Sequence, residues 1–182
     1  MTFAVQHPEG ERVCVSGRFD ERTECIVFDL SVFLAPCVVD PYFTTTYGVG
    51  ELLLESIVFG ARCVLLELPG RFPYDGGMGM LTALGVRFFD AQGRELTGVG
   101  DNLKRVVSLD LSSFLKKPKG FSVLLALGEE EGDPVEGLEH FAQVLTLYTG
   151  VRPLDFRRVG GLGMSLSVAW GATILERRET HA

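Results

Sequence analysis

The chain has 182 residues, of which 46% are hydrophobic and 23% are charged. This length is typical of one domain, and the apolar fraction is too high for an intrinsically disordered chain. Asp and Glu outnumber Lys and Arg by 24 to 17, which gives a net charge of −7. Because proteins bind nucleic-acid phosphates through clustered cations, this acidic balance argues against a nucleic-acid partner. We therefore predict one domain over residues 1–182 that binds no nucleic acid.

The sequence contains no recognisable signal for export or membrane insertion. Its first ten residues lack the basic and long apolar stretches of a secretory signal peptide. Its apolar runs are far shorter than the roughly 18 residues that a membrane-spanning helix needs. The spacing of the four cysteines fits no zinc or redox motif, so we expect them to be reduced: Cys14, Cys25, Cys37 and Cys63. These features predict a cytoplasmic protein without a membrane span.

Short runs of aromatic and β-branched residues, separated by turn-forming residues, predict β-strands along most of the chain. The run 25–34 is almost continuously apolar, which indicates a strand buried on both faces. The runs 86–90 and 94–97 flank Gly93 and predict a hairpin whose turn uses this glycine in the left-handed region. The other predicted strands are 13–16, 62–68, 105–111, 121–127 and 164–175.

Two segments have apolar residues at helical spacing. Residues 49–59 predict a helix that ends at Gly60, with a buried strand as the alternative. A second helix is predicted to begin at Asp133, with Pro134 in its first turn, and to end at Gly150. Strands nevertheless dominate. The sequence therefore predicts a mainly β fold, a β-sandwich of about eight short strands with one or two helices.

The candidates for enzymatic chemistry are few. The glycine-rich segments 76–79 and 160–163 lack the residues of a phosphate-binding loop, so we interpret both as flexible turns. His140 is the one histidine away from the termini that could act as a base, and no G-x-S-x-G motif presents a serine to it. The sequence therefore predicts a protein that is not an enzyme.

Asp29 is the most informative single residue, because an ionised carboxylate in an apolar run needs a partner. One interpretation is that Asp29 ends a strand and accepts hydrogen bonds from the amides of Ser31 or Val32. The other is that Asp29 binds a metal ion. Oxygen ligands are also available in the loop 100–103 and in the acidic loop 129–133. A set of carboxylate and amide oxygens suits Ca²⁺.

Five short segments occur in an order that resembles a known family. They are 10–15, the D-L-S-V-F-L run at 29–34, the G-D-N-L run at 100–103 followed by 108–112, the F-A-Q-V run at 141–144, and 169–177. Together they resemble the TerD family of tellurium-resistance and stress-response proteins. The resemblance implies a β-sandwich whose loops hold Ca²⁺, with Asp29, Asp101 and Asn102 as ligands. It departs from the family at Val27, where a motif aspartate is expected, and over 37–85, which has no counterpart.

The leading functional hypothesis is a non-enzymatic binding or assembly module of this stress-protein type, whose partner is another protein or a second copy of the chain. A structural subunit of a phage, secretion or injection apparatus is one alternative, because apolar surface can be buried between copies. An acidic immunity or inhibitor protein is another, because its charge could complement a basic enzyme. An enzyme that uses His140 with a carboxylate is the last.

Overall fold

The structure is a computed structural model that describes residues 1–34, 40–68, 75–128 and 136–175. After four strands at the start, helices are interspersed among the remaining strands of this part of the chain. The helices are α1 (Tyr47–Phe59), α2 (Met78–Ala83), α3 (Leu138–Thr149) and α4 (Phe156–Ala169), with short 3-10 helices at Pro41–Phe43 and Gly100–Arg105. The strands are β1 (Thr2–Gln6), β2 (Arg12–Ser16), β3 (Arg18–Asp20), β4 (Cys25–Asp29), β5 (Cys63–Glu67), β6 (Arg87–Phe89), β7 (Glu95–Leu96), β8 (Ser108–Asp110), β9 (Ser122–Ala126) and β10 (Thr173–Leu175).

The largest sheet has five strands in the order β10-β9-β5-β4-β3. Strands β4, β5, β9 and β10 run parallel, and β3 pairs antiparallel with β4 at one edge. Because parallel neighbours need long crossover connections, helices lie between these strands in the chain: α1 after β4, α2 after β5, and α3 and α4 after β9. The carboxyl ends of β4, β5 and β9 therefore lie at one edge of the sheet, which we call the carboxyl edge.

Two smaller sheets complete the described fold. Strands β1 and β2 form an antiparallel hairpin, and β7, β6 and β8 form a three-stranded antiparallel sheet in that order. The core lies against one face of the five-stranded sheet. Ile26, Val64 and Val123 occupy one row across β4, β5 and β9, and the next row on the same face is equally apolar: Phe28, Leu66 and Leu125.

The predicted mainly β sandwich is wrong, because the described fold is mixed α/β. The prediction was wrong because a β-sandwich has antiparallel strands, whereas most strands of the largest sheet run parallel. A continuously apolar run such as 25–34 is also typical of a parallel strand, and β4 within that run pairs in parallel with β5. We took the same pattern as the inner strand of a sandwich. The expectation of one domain over residues 1–182 stays a prediction, although the domain is not the β-rich one that we expected.

The predicted strand over 164–175 is also largely wrong. Most of it belongs to α4, and strand structure is confined to Thr173–Leu175. Residues 165–168 alternate serine with apolar side chains, which imitates the two-residue period of a strand. Ser165 is nevertheless fully buried and hydrogen-bonded. Several glycines in this helix weaken its helical signal further.

Other local predictions are confirmed. The predicted helix 49–59 is α1, and Gly60 ends it with a φ of 95°. The hairpin of β6 and β7 turns at Gly93, whose φ is 74°. The second helix is α3, which ends at Gly150 as predicted but begins at Leu138. Its predicted start at Asp133 lies outside the described residues. No helix in the described part of the chain is long and apolar enough to cross a membrane.

Candidate functional site

The carboxyl edge is where an α/β sheet of this kind offers space for a ligand. In open parallel sheets, ligands bind in the crevice outside the carboxyl ends of the strands, where the loops to the following helices meet. Here β4, β5 and β9 each lead into such a connection. The loop before α1 carries Thr44, Thr45 and Thr46, and the loop before α2 carries Asp75. These four polar side chains are buried.

Asp75 is the centre of a hydrogen-bonded cluster between these two loops. Its side chain is fully buried and accepts hydrogen bonds from the amides of Thr46 (2.6 Å), Gly77 (2.9 Å) and Gly79 (2.9 Å). The Thr46 hydroxyl donates to the same carboxylate at 2.8 Å and accepts a bond from the amide of Met80 at 3.0 Å. We call this set, Thr46 and Asp75 with the amides of Gly77, Gly79 and Met80, the Thr46–Asp75 cluster.

Burial and hydrogen bonding act on Asp75 in opposite directions. Removal from water disfavours the charged form and raises the pKa of Asp75 to about 6. The donors from Thr46, Gly77 and Gly79 favour the carboxylate and lower the pKa, but they offset only part of the effect of burial. The three amides and the Thr46 hydroxyl all direct hydrogens at the carboxylate, so the cluster is built to accept these bonds with Asp75 in its ionised form.

The two glycine-rich segments that we interpreted as flexible turns pack against each other beside this cluster. A Cβ added at Gly161 would lie 2.6 Å from the Cα of Gly76, and one added at Gly77 would lie 2.6 Å from the Cβ of Ser165. The Ser165 hydroxyl donates to the carbonyl of Gly76 at 2.5 Å. A Cβ at Gly79 would overlap Thr45 Oγ1. These glycines therefore permit close backbone contact. Gly76 and Gly77 form a turn as predicted, whereas the predicted turn at 160–163 is wrong because these residues belong to α4.

Helix N-termini converge on the same place. Helix α1 begins next to Thr46, and α2 begins directly after Gly77. A break at Gly160, where φ is 73° and ψ is 168°, makes Gly161 the start of the longer part of α4. Leu138, the first residue of α3, lies beside Gly76. Because helix N-termini carry partial positive charge, this arrangement favours negative charge. At the start of α2 the Asp75 carboxylate already supplies that charge by accepting from the amides of Gly77 and Gly79.

A small polar cleft of about 170 Å³ lies between the 3-10 helices and the start of α3. Lys104 and Glu136 form an ion pair of 3.7 Å at this cleft. The cleft thus offers charges of both signs to a polar ligand. Its lining residues are Tyr42, Gly100, Asp101, Lys104 and Glu136.

The three predicted metal ligands have different surroundings in the structure. Asp29 is exposed at the end of β4, and its Oδ1 accepts from the amide (2.9 Å) and the hydroxyl (2.6 Å) of Ser31. These two bonds hold the pKa of Asp29 below its usual value. The interpretation of Asp29 as a strand-end acceptor is thereby confirmed for Ser31.

The other two predicted ligands lie in the second 3-10 helix. Asp101 lines the polar cleft. The side-chain Nδ2 of Asn102 donates to the carbonyl of Thr97 at 2.9 Å, and its Oδ1 accepts from Arg105 at 3.0 Å. Among the described residues, no group of three or more His, Cys, Asp or Glu side chains could hold a metal. Binding of Ca²⁺ by Asp29, Asp101 and Asn102 stays a prediction.

The other residues considered in the sequence analysis are His140, the cysteines and the acidic loop. His140 Nε2 lies 2.7 Å from the carbonyl oxygen of Val106, which joins α3 to the segment before β8. Cys14, Cys25 and Cys63 are free thiols. Cys37 and the acidic loop 129–133 lie outside the described residues.

Comparisons with known proteins identify the family. The model of the glycerate kinase family matches residues 31–159. A glycerate kinase of Bacillus cereus is 33% identical over 132 residues, which cover 60% of this chain and 35% of that protein. The glycerate 2-kinase of Escherichia coli K12 is 29% identical over 161 residues, which cover 74% of this chain and 42% of that protein. The chain thus spans about two fifths of the length of these curated relatives.

A solved structure agrees in fold. A crystal structure from Salmonella typhimurium LT2 that carries the name glycerate kinase 2 superposes with a TM-score of 0.80 and 23% identity, over 97% of this chain and 55% of that chain. At this identity the likeness concerns the fold alone, and it confirms the mixed α/β architecture.

These comparisons overturn the resemblance to the TerD family and, with it, the predicted roles in tellurium resistance and stress response. The TerD-like segments are short, and the stretch 37–85, which had no counterpart there, falls within the matched region 31–159. The T-T-T-Y-G run at 44–48 and the D-G-G-M-G run at 75–79, which carry the Thr46–Asp75 cluster, did not contribute to the predicted function. The prediction of a non-enzymatic module, with its structural and inhibitory alternatives, is likewise wrong. Well over half of the sequence matches the family model, and the chain belongs to the glycerate kinase family.

Proposed function

We propose that this chain takes part in the transfer of the terminal phosphoryl group of ATP to a hydroxyl group of glycerate. In this reaction the bond between the γ-phosphorus and the oxygen of ADP breaks. ADP leaves with the electron pair of the broken bond, a bond forms from the γ-phosphorus to the glycerate hydroxyl oxygen, and the hydroxyl proton is released to water. The family of the chain supports this reaction class, since the relatives carry the names glycerate kinase and glycerate 2-kinase.

The observation that carries the proposal is the convergence of helix N-termini at the carboxyl edge. Both substrates are anions: glycerate has a carboxylate, and ATP has a phosphate chain. The starts of α1, α2, α3 and the longer part of α4 lie around residues 75–77. The amides at the start of α2 are taken up by the Thr46–Asp75 cluster. Partial positive charge at the starts of α1, α3 and the longer part of α4 would stabilise anions and the charge that develops during phosphoryl transfer.

The reaction can be tested on the purified chain with ATP, Mg²⁺ and D-glycerate, with ³¹P NMR as the readout for phosphoglycerate and ADP. We expect product that depends on glycerate, and the phosphorus signal identifies which hydroxyl is phosphorylated. Glycerol is the matched control substrate, because it has the hydroxyl groups of glycerate without the carboxylate. We expect little or no product from glycerol.

Ligand binding gives a second readout, because this chain spans only part of the length of its relatives. A ligand that binds the native state raises the melting temperature by mass action. We expect ATP and glycerate each to raise it in a concentration-dependent way. Absence of both product and any shift with either ligand would overturn the proposal.

We also propose that the protein works in the cytoplasm. The free thiols of Cys14, Cys25 and Cys63 support a reducing compartment, and an ATP-dependent reaction needs a supply of ATP. A protein partner or a second copy of the chain stays a prediction, which light scattering on the purified protein can check.

A further inference from the structure

The hydrogen bonds of Asp75 occupy most of the acceptor positions of its carboxylate. Oδ1 accepts from the Gly77 amide at 2.9 Å and lies 3.1 Å from the Thr46 hydroxyl. Oδ2 accepts from the Thr46 amide at 2.6 Å, the Thr46 hydroxyl at 2.8 Å and the Gly79 amide at 2.9 Å. A carboxylate has about four lone-pair positions, and a general base needs one of them directed at the substrate. Asp75 is therefore poorly placed to take a proton from a substrate.

The same bonds join two parts of the chain that are far apart in sequence. Thr46 and Asp75 are 29 residues apart. Thr46 stands at the start of α1, in the connection that follows β4, and Asp75 stands at the start of α2, in the connection that follows β5. The bond from the Met80 amide to the Thr46 hydroxyl closes the cluster from the side of α2. The two side chains thus fix the starts of α1 and α2 relative to each other at the carboxyl edge.

A third element is fastened to the same cluster. Ser165 on α4 donates its hydroxyl to the carbonyl of Gly76, and the backbone at Gly161 packs directly against Gly76. Thr46, Asp75 and Ser165 are all fully buried. In the described part of the chain, every buried polar side-chain atom has a hydrogen-bond partner. A change at the cluster would therefore be transmitted to three helix starts.

We propose that Thr46 and Asp75 are a pair of positioning residues for the phosphoryl transfer, which hold the helix starts at the carboxyl edge in register and take no proton from the substrate. This inference rests on the proposed function and adds to it a role for two buried side chains. The hydroxyl of Thr46 is the key group, since it donates to Asp75 and accepts from Met80. Misplacement of substrate-binding groups by about 1 Å can reduce a rate by about 100-fold.

The first test measures amide hydrogen exchange in the complete chain and needs no catalytic activity. Thr46→Val keeps the shape of the side chain and removes the hydroxyl. We expect the amides of Gly77, Gly79 and Met80 to exchange at least about tenfold faster in this variant, because the bonds that protect them are weakened. Thr46→Ser restores the hydroxyl and should restore most of the protection.

Thr82→Val is the matched control. Thr82 lies on α2 close to the cluster, but its hydroxyl donates to the carbonyl of Met78 and takes no part in the cluster. We expect this variant to leave exchange at the three amides unchanged. Equal exchange in Thr46→Val and in the unmodified protein would overturn the inference.

The second test uses kinetics. We expect Thr46→Val and Asp75→Asn each to reduce kcat/KM by about 10- to 100-fold, and the double variant to be little worse than Asp75→Asn, since residues of one unit are not additive. If the rate of the unmodified protein falls at low pH, Thr46→Val should show the same fall. If Asp75 is instead a general base, Asp75→Asn alone should abolish kcat, and Thr46→Val should keep it near its original value.

The two tests separate this inference from the proposed function. If the unmodified chain forms no phosphoglycerate and binds neither substrate, the proposed function fails, while the exchange experiment still decides whether the pair holds the helix starts. If the chain is active and Thr46→Val loses neither protection nor activity, the positioning role fails and the function stands. Should Asp75→Asn not fold, the comparison of Thr46→Val with Thr46→Ser still decides.

Discussion

Asp29 and Asp75 belong to the same edge of the sheet, but their surroundings shift their pKa values in opposite directions. Asp29 is exposed, and the hydrogen bonds from Ser31 lower its pKa. Asp75 is fully buried, and the loss of water raises its pKa to about 6 despite its donors. The same residue type therefore acts as a local turn acceptor in one place and as the centre of a buried cluster in the other.

The raised pKa of Asp75 predicts how stability depends on pH. Between pH 4 and 6 the folded state binds this proton more tightly than the unfolded state, so the free energy of unfolding should fall as the pH rises. A shift from 3.8 to about 6 corresponds to a fall of about 3 kcal/mol, most of it between pH 4 and 6 and complete about one pH unit higher. Urea unfolding at several pH values, compared with Asp75→Asn, measures this contribution. A difference between the two proteins that stays constant or grows from pH 4 to 6 would contradict it.

Asp29 contributes to stability with the opposite sign. Its stabilisation is present above the pKa of the unfolded state and is lost as the pH falls through the lowered folded value. Because the side chain is exposed, water screens this contribution, and we expect it to be small beside that of Asp75.

At the residue scale, the sequence predicted interactions between residues that are close together in the chain. The bond between Asp29 and Ser31 spans two residues, so it could be predicted from the sequence. Asp75 was missed because its partner Thr46 is 29 residues away and its burial depends on elements that pack later. Nothing in the neighbourhood 69–79 distinguishes a buried aspartate from one in an exposed turn.

At the scale of elements, α4 shows how glycine can hide a helix and still be required in it. A Cβ at Gly161 would lie 2.6 Å from the Cα of Gly76, which is backbone and cannot rotate away. We predict that Gly161→Ala lowers the free energy of unfolding by about 1–3 kcal/mol, although alanine is the better helix former. Chemical denaturation measures the change.

Gly163→Ala is the internal control on the same helix. Its added Cβ would meet the Val159 side chain at 3.0 Å and Leu125 at 3.6 Å, and no backbone atom of another element is among its nearest neighbours. We expect this variant to stay within about 1 kcal/mol of the unmodified protein, since better helix propensity offsets the tighter contact. Equal losses in both variants would show that backbone contact is not the cause.

The Glu51 carboxylate connects the hairpin of β1 and β2 to α1. Glu51 accepts a hydrogen bond from the Gln6 amide at 2.6 Å and one from Arg12 Nη1 at 2.6 Å. We predict that Glu51→Ala lowers the free energy of unfolding by about 1–2 kcal/mol and increases hydrogen exchange in the hairpin. Glu55→Ala, one turn further along the same helix at an exposed position, should change stability by less than about 0.5 kcal/mol. The prediction fails if the two variants are equally stable.

At the scale of the whole molecule, the sequence identified many elements but not their arrangement. Strand positions such as β5 and β9 follow from local composition, and both were predicted within about a residue or two. Their parallel direction depends on crossover helices, and the order β10-β9-β5-β4-β3 depends on contacts between distant segments. We missed the topology partly because the region of α2 was interpreted as a flexible turn, which removed the helix between β5 and β9 from the pattern.

The single tryptophan reports on the packing of the whole fold. Trp170 is only 3% exposed, donates its indole N–H to the carbonyl of Leu115 at 3.0 Å and contacts the ring of Phe121 edge-on. We predict that its fluorescence shifts to longer wavelength on unfolding, in one transition that coincides with the loss of helical circular dichroism. A fluorescence transition at lower denaturant concentration would show that the end of α4 unfolds separately.

The backbone contact of Gly76 and Gly161 has a consequence for how distant relatives are recognised. These two segments can approach closely because glycine has no side chain, so no charged or aromatic residue in the sequence marks the contact. Searches for function usually begin from reactive groups and pass over such places. In this chain the informative feature of the sequence is two separated glycine pairs, 76–77 and 160–161, which are brought into contact only in the folded state.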